Sequence, residues 1–310
     1  MTTGSRLFIL AVDHRGSFER MVGSDLDTLL AAKRLVWQGF LDALADGTPP
    51  DAAGVLIDEQ FGSGIAREAR ERGIVFAMPV EKTGRDEFEF EHGDAFDRAI
   101  EDYDPTYVKA LVRYNPGGDD ALNRRQVARL QELSGWLRAH DRRFMFELLV
   151  PPTDEQLSSV AGSRERYDDE VRPDLMVQAI IALQEADVEP DLWKIEGVEK
   201  REACRAIAAT ARRDGRDGVG CLVLGRGASV ERVDDWLRAG AGVDGYVGFA
   251  VGRSIFADAV RDFATDPASF DMQRGAEHIS ARYRRFIDVY QKAETSSFQR
   301  SQERGGIASG

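Results

Sequence analysis

The sequence predicts a (β/α)8 barrel. Two observations carry that expectation. Eight short apolar runs alternate with helix-period stretches, and nearly every run ends in charged or glycine-containing residues. Eight such units in about 250 residues match the count and size of that fold.

The runs, in order, are LFILAVD (7–13), AAGVLID (52–58), IVFAMPVE (74–81), YVKALVRYN (107–115), RFMFELLV (143–150), DLWKIEG (191–197), GCLVLGRG (220–227) and GYVGFAVGR (245–253). Near-continuous apolar strands are buried on both faces, as in a parallel sheet covered by helices. The intervening stretches include 28–45, 121–140, 173–188, 201–215 and 229–242, with apolar residues at i, i+3 and i+4. A doubly wound open sheet is the alternative. It calls for a glycine-rich turn after the first strand, whereas DHRGSFERM offers a single glycine.

The barrel is expected over residues 5–290 as one domain. Two polar stretches, 82–103 and 151–172, follow strands three and five and so belong to the face where barrel active sites lie. Residues 295–310, polar and rich in glycine and serine, read as a disordered tail.

At 43% hydrophobic and 31% charged, the composition is that of a soluble globular protein. A net charge of −13 argues against nucleic acid and anionic membrane as partners, yet leaves room for a small anion in a local arginine cluster. Cys204 and Cys221 have no CxxC spacing and read as buried small hydrophobes. LFILAV is too short for a signal peptide, and no segment can span a bilayer, so the expected location is cytoplasmic.

Lysine carries the chemical signal. There are 6 lysines among 41 basic residues, and Lys109 and Lys194 lie inside apolar strands. Desolvation disfavours an ammonium, and a neutral lysine is a nucleophile for carbonyl carbon. Strand alternation gives Lys194 and Glu196 one face, opposite Trp193 and Ile195. Lys109, Leu111 and Arg113 likewise oppose Val108, Ala110 and Val112. Glu147 on strand five has matching parity, so Lys109, Glu147 and Lys194 are expected to meet inside. Each alone could be a structural ion pair, but the three together are costly to bury without use. Asp13, at the end of strand one, is a second candidate for proton transfer.

LGRGAS (224–229) and VGRSIF (251–256) place Arg226–Gly227 and Gly252–Arg253 just before helical stretches. Loops after strands seven and eight often hold phosphate, and arginine supplies bidentate contact. Surface ion pairing is the plain alternative. Arg113, Arg15, Asp58 and Gln60 complete the candidate substrate contacts. The four histidines show no metal-ligand spacing, and neither metal nor cofactor is expected.

LFILAVDHRGSF, LIDEQFG, AMPVEKTG, YVKALVRYNPGGD, FELLVPPT, DLWKIEG, VLGRG and GFAVGRSIF together resemble the aldolase-like (DUF2090-type) domain fused to 5-dehydro-2-deoxygluconokinase in inositol catabolism. More distantly the chain is similar to class I tagatose-1,6-bisphosphate and sulfofructose-phosphate aldolases. The resemblance implies a Schiff-base aldolase with Lys194 as nucleophile, a charged Lys109 beside it and Glu147 in proton transfer. It also implies phosphate contacts at Arg226 and Arg253. The first candidate substrate is 2-deoxy-5-keto-gluconate 6-phosphate, with Arg113 or Arg15 facing its carboxylate. The expected partners are a phosphorylated keto-sugar and further copies of the chain in a homo-oligomer. A kinase half is not part of this sequence. A non-catalytic sugar-phosphate sensor on the same scaffold is the contrasting reading, and a metal-dependent barrel lyase a weaker one.

Overall fold

A computed structural model of the protein describes residues 6–306, with side chains through Gln299. Eight parallel strands close in sequence order: β1 (Leu7–Ala11), β2 (Ala53–Leu56), β3 (Val75–Pro79), β4 (Tyr107–Arg113), β5 (Phe144–Leu149), β6 (Leu192–Glu196), β7 (Gly220–Leu224) and β8 (Tyr246–Val251). Each lies within its predicted run. Closure comes from β8 against β1, with Leu7 opposite Gly248 and Leu10 opposite Val251. The chain is therefore a (β/α)8 barrel and not an open sheet.

Side-chain alternation divides the core in two. Leu7, Ile9, Ala77, Tyr107, Met145 and Leu192 plug the barrel interior. Phe8, Val108, Phe146, Trp193 and Ile195 point outward into the layer shared with the helices. Full burial of one such large side chain stabilises by about 1.5–3 kcal/mol. The outward placement of Trp193 and Ile195 leaves Lys194 inside, as strand parity predicted.

Helix Leu26–Ala45 begins at Asp25, whose side chain accepts from Thr28 N. The last helix, Met272–Gly306, packs along it, and a Cβ at Gly39 would meet Ile279 at 2.7 Å. Two tyrosines pin that last helix to the barrel. Tyr283 Oη donates to Phe8 O at 2.6 Å and Tyr290 Oη to Tyr246 O at 3.0 Å. The segment expected to be disordered from 295 instead starts as a continuation of this helix. Ser297 is buried there and donates to Ala293 O at 2.9 Å. Residue 5 and residues 307–310 lie outside the described residues.

Both insertions rise from the carboxyl ends of strands. The first makes an antiparallel bridge between Glu81 and Phe90 and then helix Phe96–Tyr103. The second forms helix Asp154–Ser159 under a Thr153/Gln156 capping box, then a π-helical turn at Tyr167–Val171. Both cysteines are free and buried. Among the described residues, no helix is long and apolar enough to cross a membrane.

Candidate active site

The interior columns of the barrel turn polar at their carboxyl ends. Two residues beyond Ala11, Tyr107, Met145 and Leu192, alternation delivers Asp13, Lys109, Glu147 and Lys194 to the same interior. Glu81 follows Ala77 and Pro79 in the same way. These five line a cavity of about 720 Å3 at the mouth of the barrel.

Glu147 and Lys194 are direct partners in the register of β5 and β6. Glu147 Oε2 stands 2.9 Å from Lys194 Nζ and 3.0 Å from Lys109 Nζ. Lys109 Nζ also donates to Asp13 Oδ2 at 2.9 Å and to Glu81 Oε1 at 2.6 Å. One ammonium thus gathers three carboxylates, two from just beyond β1 and β3 and one from β5, and the second lysine meets one of them. Lys109 and Lys194 expose only 1% and 3% of their side chains, so these charges have little competition from water.

The electrostatics separate the groups. Burial opposes the charge on Lys109, but Asp13, Glu147 and Glu81 outweigh it and hold its pKa above the ordinary lysine value. Burial pushes Asp13 up, and Lys109, Lys194 and His14 overcome that to hold it well below the usual carboxylate range. Glu147 follows the same pattern, held low by Lys109 and Lys194 against burial. Glu81 differs. Burial raises its pKa despite Lys109 and Arg15, and its Oε2 has no hydrogen-bond partner. Environments that drive neighbouring carboxyls apart are those that divide proton donors from acceptors.

The turns after β7 and β8 adjoin this cluster. Arg253 opens helix Arg253–Thr265, and its guanidinium donates to Arg226 O at 3.0 Å. Its Nε is buried without a partner, and burial is the largest cause of its lowered pKa, followed by Arg20 and Arg261. A Cβ at Gly252 would lie 2.2 Å from Ala11 O, so only glycine lets β8 pass β1 there. Gly227 has φ +73°, and a Cβ would sit 2.8 Å from the Arg253 guanidinium carbon. Backbone and arginine thereby form one concave corner suited to an anion.

Arg226 lines the cavity but is already engaged. It pairs with Asp168 at 2.8 Å and Glu196 at 2.9 Å. Glu196 also pairs with buried Arg172 at 3.0 Å. Arg253 has no carboxylate partner among the described residues, so the two arginines expected to contact phosphate differ in how far they are already engaged. Arg15 is similarly committed, to Glu91 at 2.9 Å and to Glu81 O at 2.7 Å. Arg113 lines the opposite wall, half exposed, and donates to Arg85 O at 2.8 Å.

Two expected contacts are not brought to the site. Asp58 is fully buried, caps helix Glu59–Glu71 through Phe61 N and pairs with Lys33 at 2.5 Å. The chain turns into that helix directly after β2, which directs the carboxylate behind the cavity wall. Gln60 is exposed on the same helix. Glu81, Asp168 and His14 also line the cavity, although they are not among the site residues expected from the sequence. Glu81 carried a signal, because it continues the inward column of β3.

Ten lysines and arginines and seven aspartates and glutamates line the cavity, a local excess of three positive charges in a chain of net charge −13. Among the described residues, no group of three or more His, Cys, Asp or Glu side chains is arranged to hold a metal ion.

The family model described as "Uncharacterized protein conserved in bacteria (DUF2090)" matches residues 2–294. Tagatose 1,6-diphosphate aldolase 2 of Streptococcus pyogenes serotype M1 is 26% identical over 159 residues, covering 49% of this chain and 47% of that protein. The chain thus spans about half the length of the curated relatives it matches. The fold is shared with fructose-bisphosphate aldolase from Plasmodium falciparum, with TM-score 0.65, 13% identity and 93% and 91% of the two chains covered. It is also shared with a Schiff-base-forming fructose-1,6-bisphosphate aldolase, with TM-score 0.54, 16% identity and 89% and 94% covered.

Proposed function

The chain belongs to the DUF2090 family of bacterial proteins, and from the site its barrel carries we propose a class I, metal-independent aldolase acting on a phosphorylated keto-sugar. One observation carries the reading: Glu147 Oε2 lies within 3.0 Å of two buried lysines, Lys109 and Lys194.

In this reading Lys194 Nζ attacks the substrate ketone, and loss of water gives an iminium. Glu147, directly or through water, takes the proton of the hydroxyl two carbons away. The bond between the carbon next to the iminium and the hydroxyl-bearing carbon breaks, an aldehyde leaves, and the bonding electron pair moves into the iminium to give an enamine. Protonation at carbon and hydrolysis release the ketone product and restore Lys194. Lys109 stays charged, keeps Asp13 and Glu147 ionised and hydrogen-bonds substrate oxygen. Asp13 orients a hydroxyl. Arg253, Gly227 and Gly252 hold the phosphate, with Arg226 shaping that corner through its backbone, and Arg113 is the cation available to a distal carboxylate.

The first candidate substrate is 2-deoxy-5-keto-gluconate 6-phosphate, cleaved to dihydroxyacetone phosphate and malonate semialdehyde. Tagatose-1,6-bisphosphate is the next, supported by the tagatose aldolase relatives, and a sulfosugar phosphate is the third. Retro-aldol turnover of these three, followed by coupled detection of the released triose, tests the proposal. Cleavage of any one supports an aldolase and names its substrate. Binding of all three without cleavage is the outcome expected of a sensor.

A further inference from the structure

Lys33 is a third buried lysine, and the chemistry above does not use it. It sits on helix Leu26–Ala45, outside the barrel wall, and its side chain is 0% exposed. Its ammonium has three protons and three acceptors. These are Val12 O, His14 O at 2.9 Å and Asp58 Oδ1 at 2.5 Å. The Phe18 ring closes another side, with its centroid 4.6 Å from Nζ. Asp58 is itself fixed, since its Oδ2 accepts from Phe61 N at 2.8 Å.

The two carbonyls that Lys33 holds belong to the residues on either side of Asp13. The sheet ladder ends at Val12, whose N donates to Leu56 O at 2.7 Å; alternation turns Asp13 inward, but among the described residues no sheet hydrogen bond of its own fixes it there. Its carboxylate nevertheless meets Lys109 Nζ at 2.9 Å, across the barrel mouth. A purely stabilising ion pair would need only Asp58. Bonding both flanking carbonyls fixes the peptide planes that aim one side chain.

We propose that Lys33, anchored by Asp58, is a positioning residue that holds the backbone on both sides of Asp13 and so aims its carboxylate at Lys109 and the substrate. The catalytic part of this claim rests on the aldolase reading; the structural part does not.

Lys33→Met alone would leave Asp58 buried and unpaired, which threatens folding. The test therefore uses Lys33→Met with Asp58→Asn, which removes both charges and keeps an acceptor for Phe61 N. Two measurements are made on the full chain. Hydrogen exchange is followed on peptides covering 12–18, with peptides from β5 and β6 as internal references. Steady-state cleavage is compared among wild type, the double variant, Asp13→Asn and the triple variant. The proposal expects faster exchange confined to 12–18. It also expects kcat to fall by roughly 10- to 100-fold with KM within about twofold, the scale set by misplacing a catalytic group. The triple variant is expected to be no slower than Asp13→Asn. Wild-type kcat, or losses that multiply in the triple variant, would overturn it. If wild type itself cleaves nothing, the aldolase reading fails, and exchange alone decides: unchanged exchange at 12–18 overturns the clamp, and local acceleration upholds it.

Discussion

Lys194 Nζ lies 2.9 Å from Glu147 Oε2, and the two residues are paired directly across β5 and β6. In the proposed aldolase reading, a nucleophile and its proton-transfer partner are thereby set by sheet register. That is more rigid than placement on a loop, and it fixes their separation before substrate arrives. Glu147→Gln keeps the shape and removes the basicity. It is expected to form the imine normally and to lose about 100-fold or more in kcat, the usual scale of general acid–base assistance. Trapping yield and single-turnover cleavage rate, measured together, check this. Normal cleavage would make Glu147 a structural partner and bring Asp13 forward as the base.

Arg253 and Arg226 are expected to behave differently. Arg253→Ala should raise KM for a phosphorylated substrate by roughly 10- to 100-fold, from loss of about 1.5–3 kcal/mol of charged hydrogen bonding. Arg226 is tied to Asp168 and Glu196, so Arg226→Ala should change KM less and loosen the turn at Tyr167–Val171. Steady-state kinetics and limited proteolysis separate the two. Equal KM effects with an intact turn would count against the division.

His14 gives a pH signature. Burial, then Arg253, Lys33 and Lys194, outweigh Asp13 and hold its pKa down to about 4, against an ordinary value of 6.5. The folded imidazole is therefore neutral between those values, while the unfolded chain binds the proton. Stability from this residue is full above about pH 6.5 and declines as pH falls towards 4. Between pH 7 and pH 5, wild type should lose more of its denaturant midpoint than His14→Gln. Equal losses, or the His14 ring itself, assigned by its absence in His14→Gln, titrating near 6.5 by NMR, would contradict the assignment.

The barrel was legible because its strands are short, apolar on both faces and regularly separated by helical periods. Lys109, Glu147 and Lys194 were legible because strand parity survives to the end of β4, β5 and β6. Position at the end of a strand misled at Asp58, where the chain leaves the sheet at once and the carboxylate becomes a helix cap. The engagement of Arg226 and Arg15 was hidden for another reason. Their partners, Asp168 and Glu91, come from the two insertions, and no local pattern links residues 58 or 76 positions apart. Lys33 was passed over because a lysine in a helical stretch ordinarily reaches solvent, and only the packed structure shows it turned inward.

Borohydride reduction in the presence of a cleaved keto-sugar phosphate tests the central claim most directly. Reduction locks the imine as a stable amine, and peptide mass spectrometry then locates it. The account predicts one modified peptide, containing Lys194, and none in Lys194→Ala, which should also lose turnover. Modification at Lys109 would reverse the roles of the two lysines, and turnover without any trapped lysine would contradict the Schiff-base mechanism.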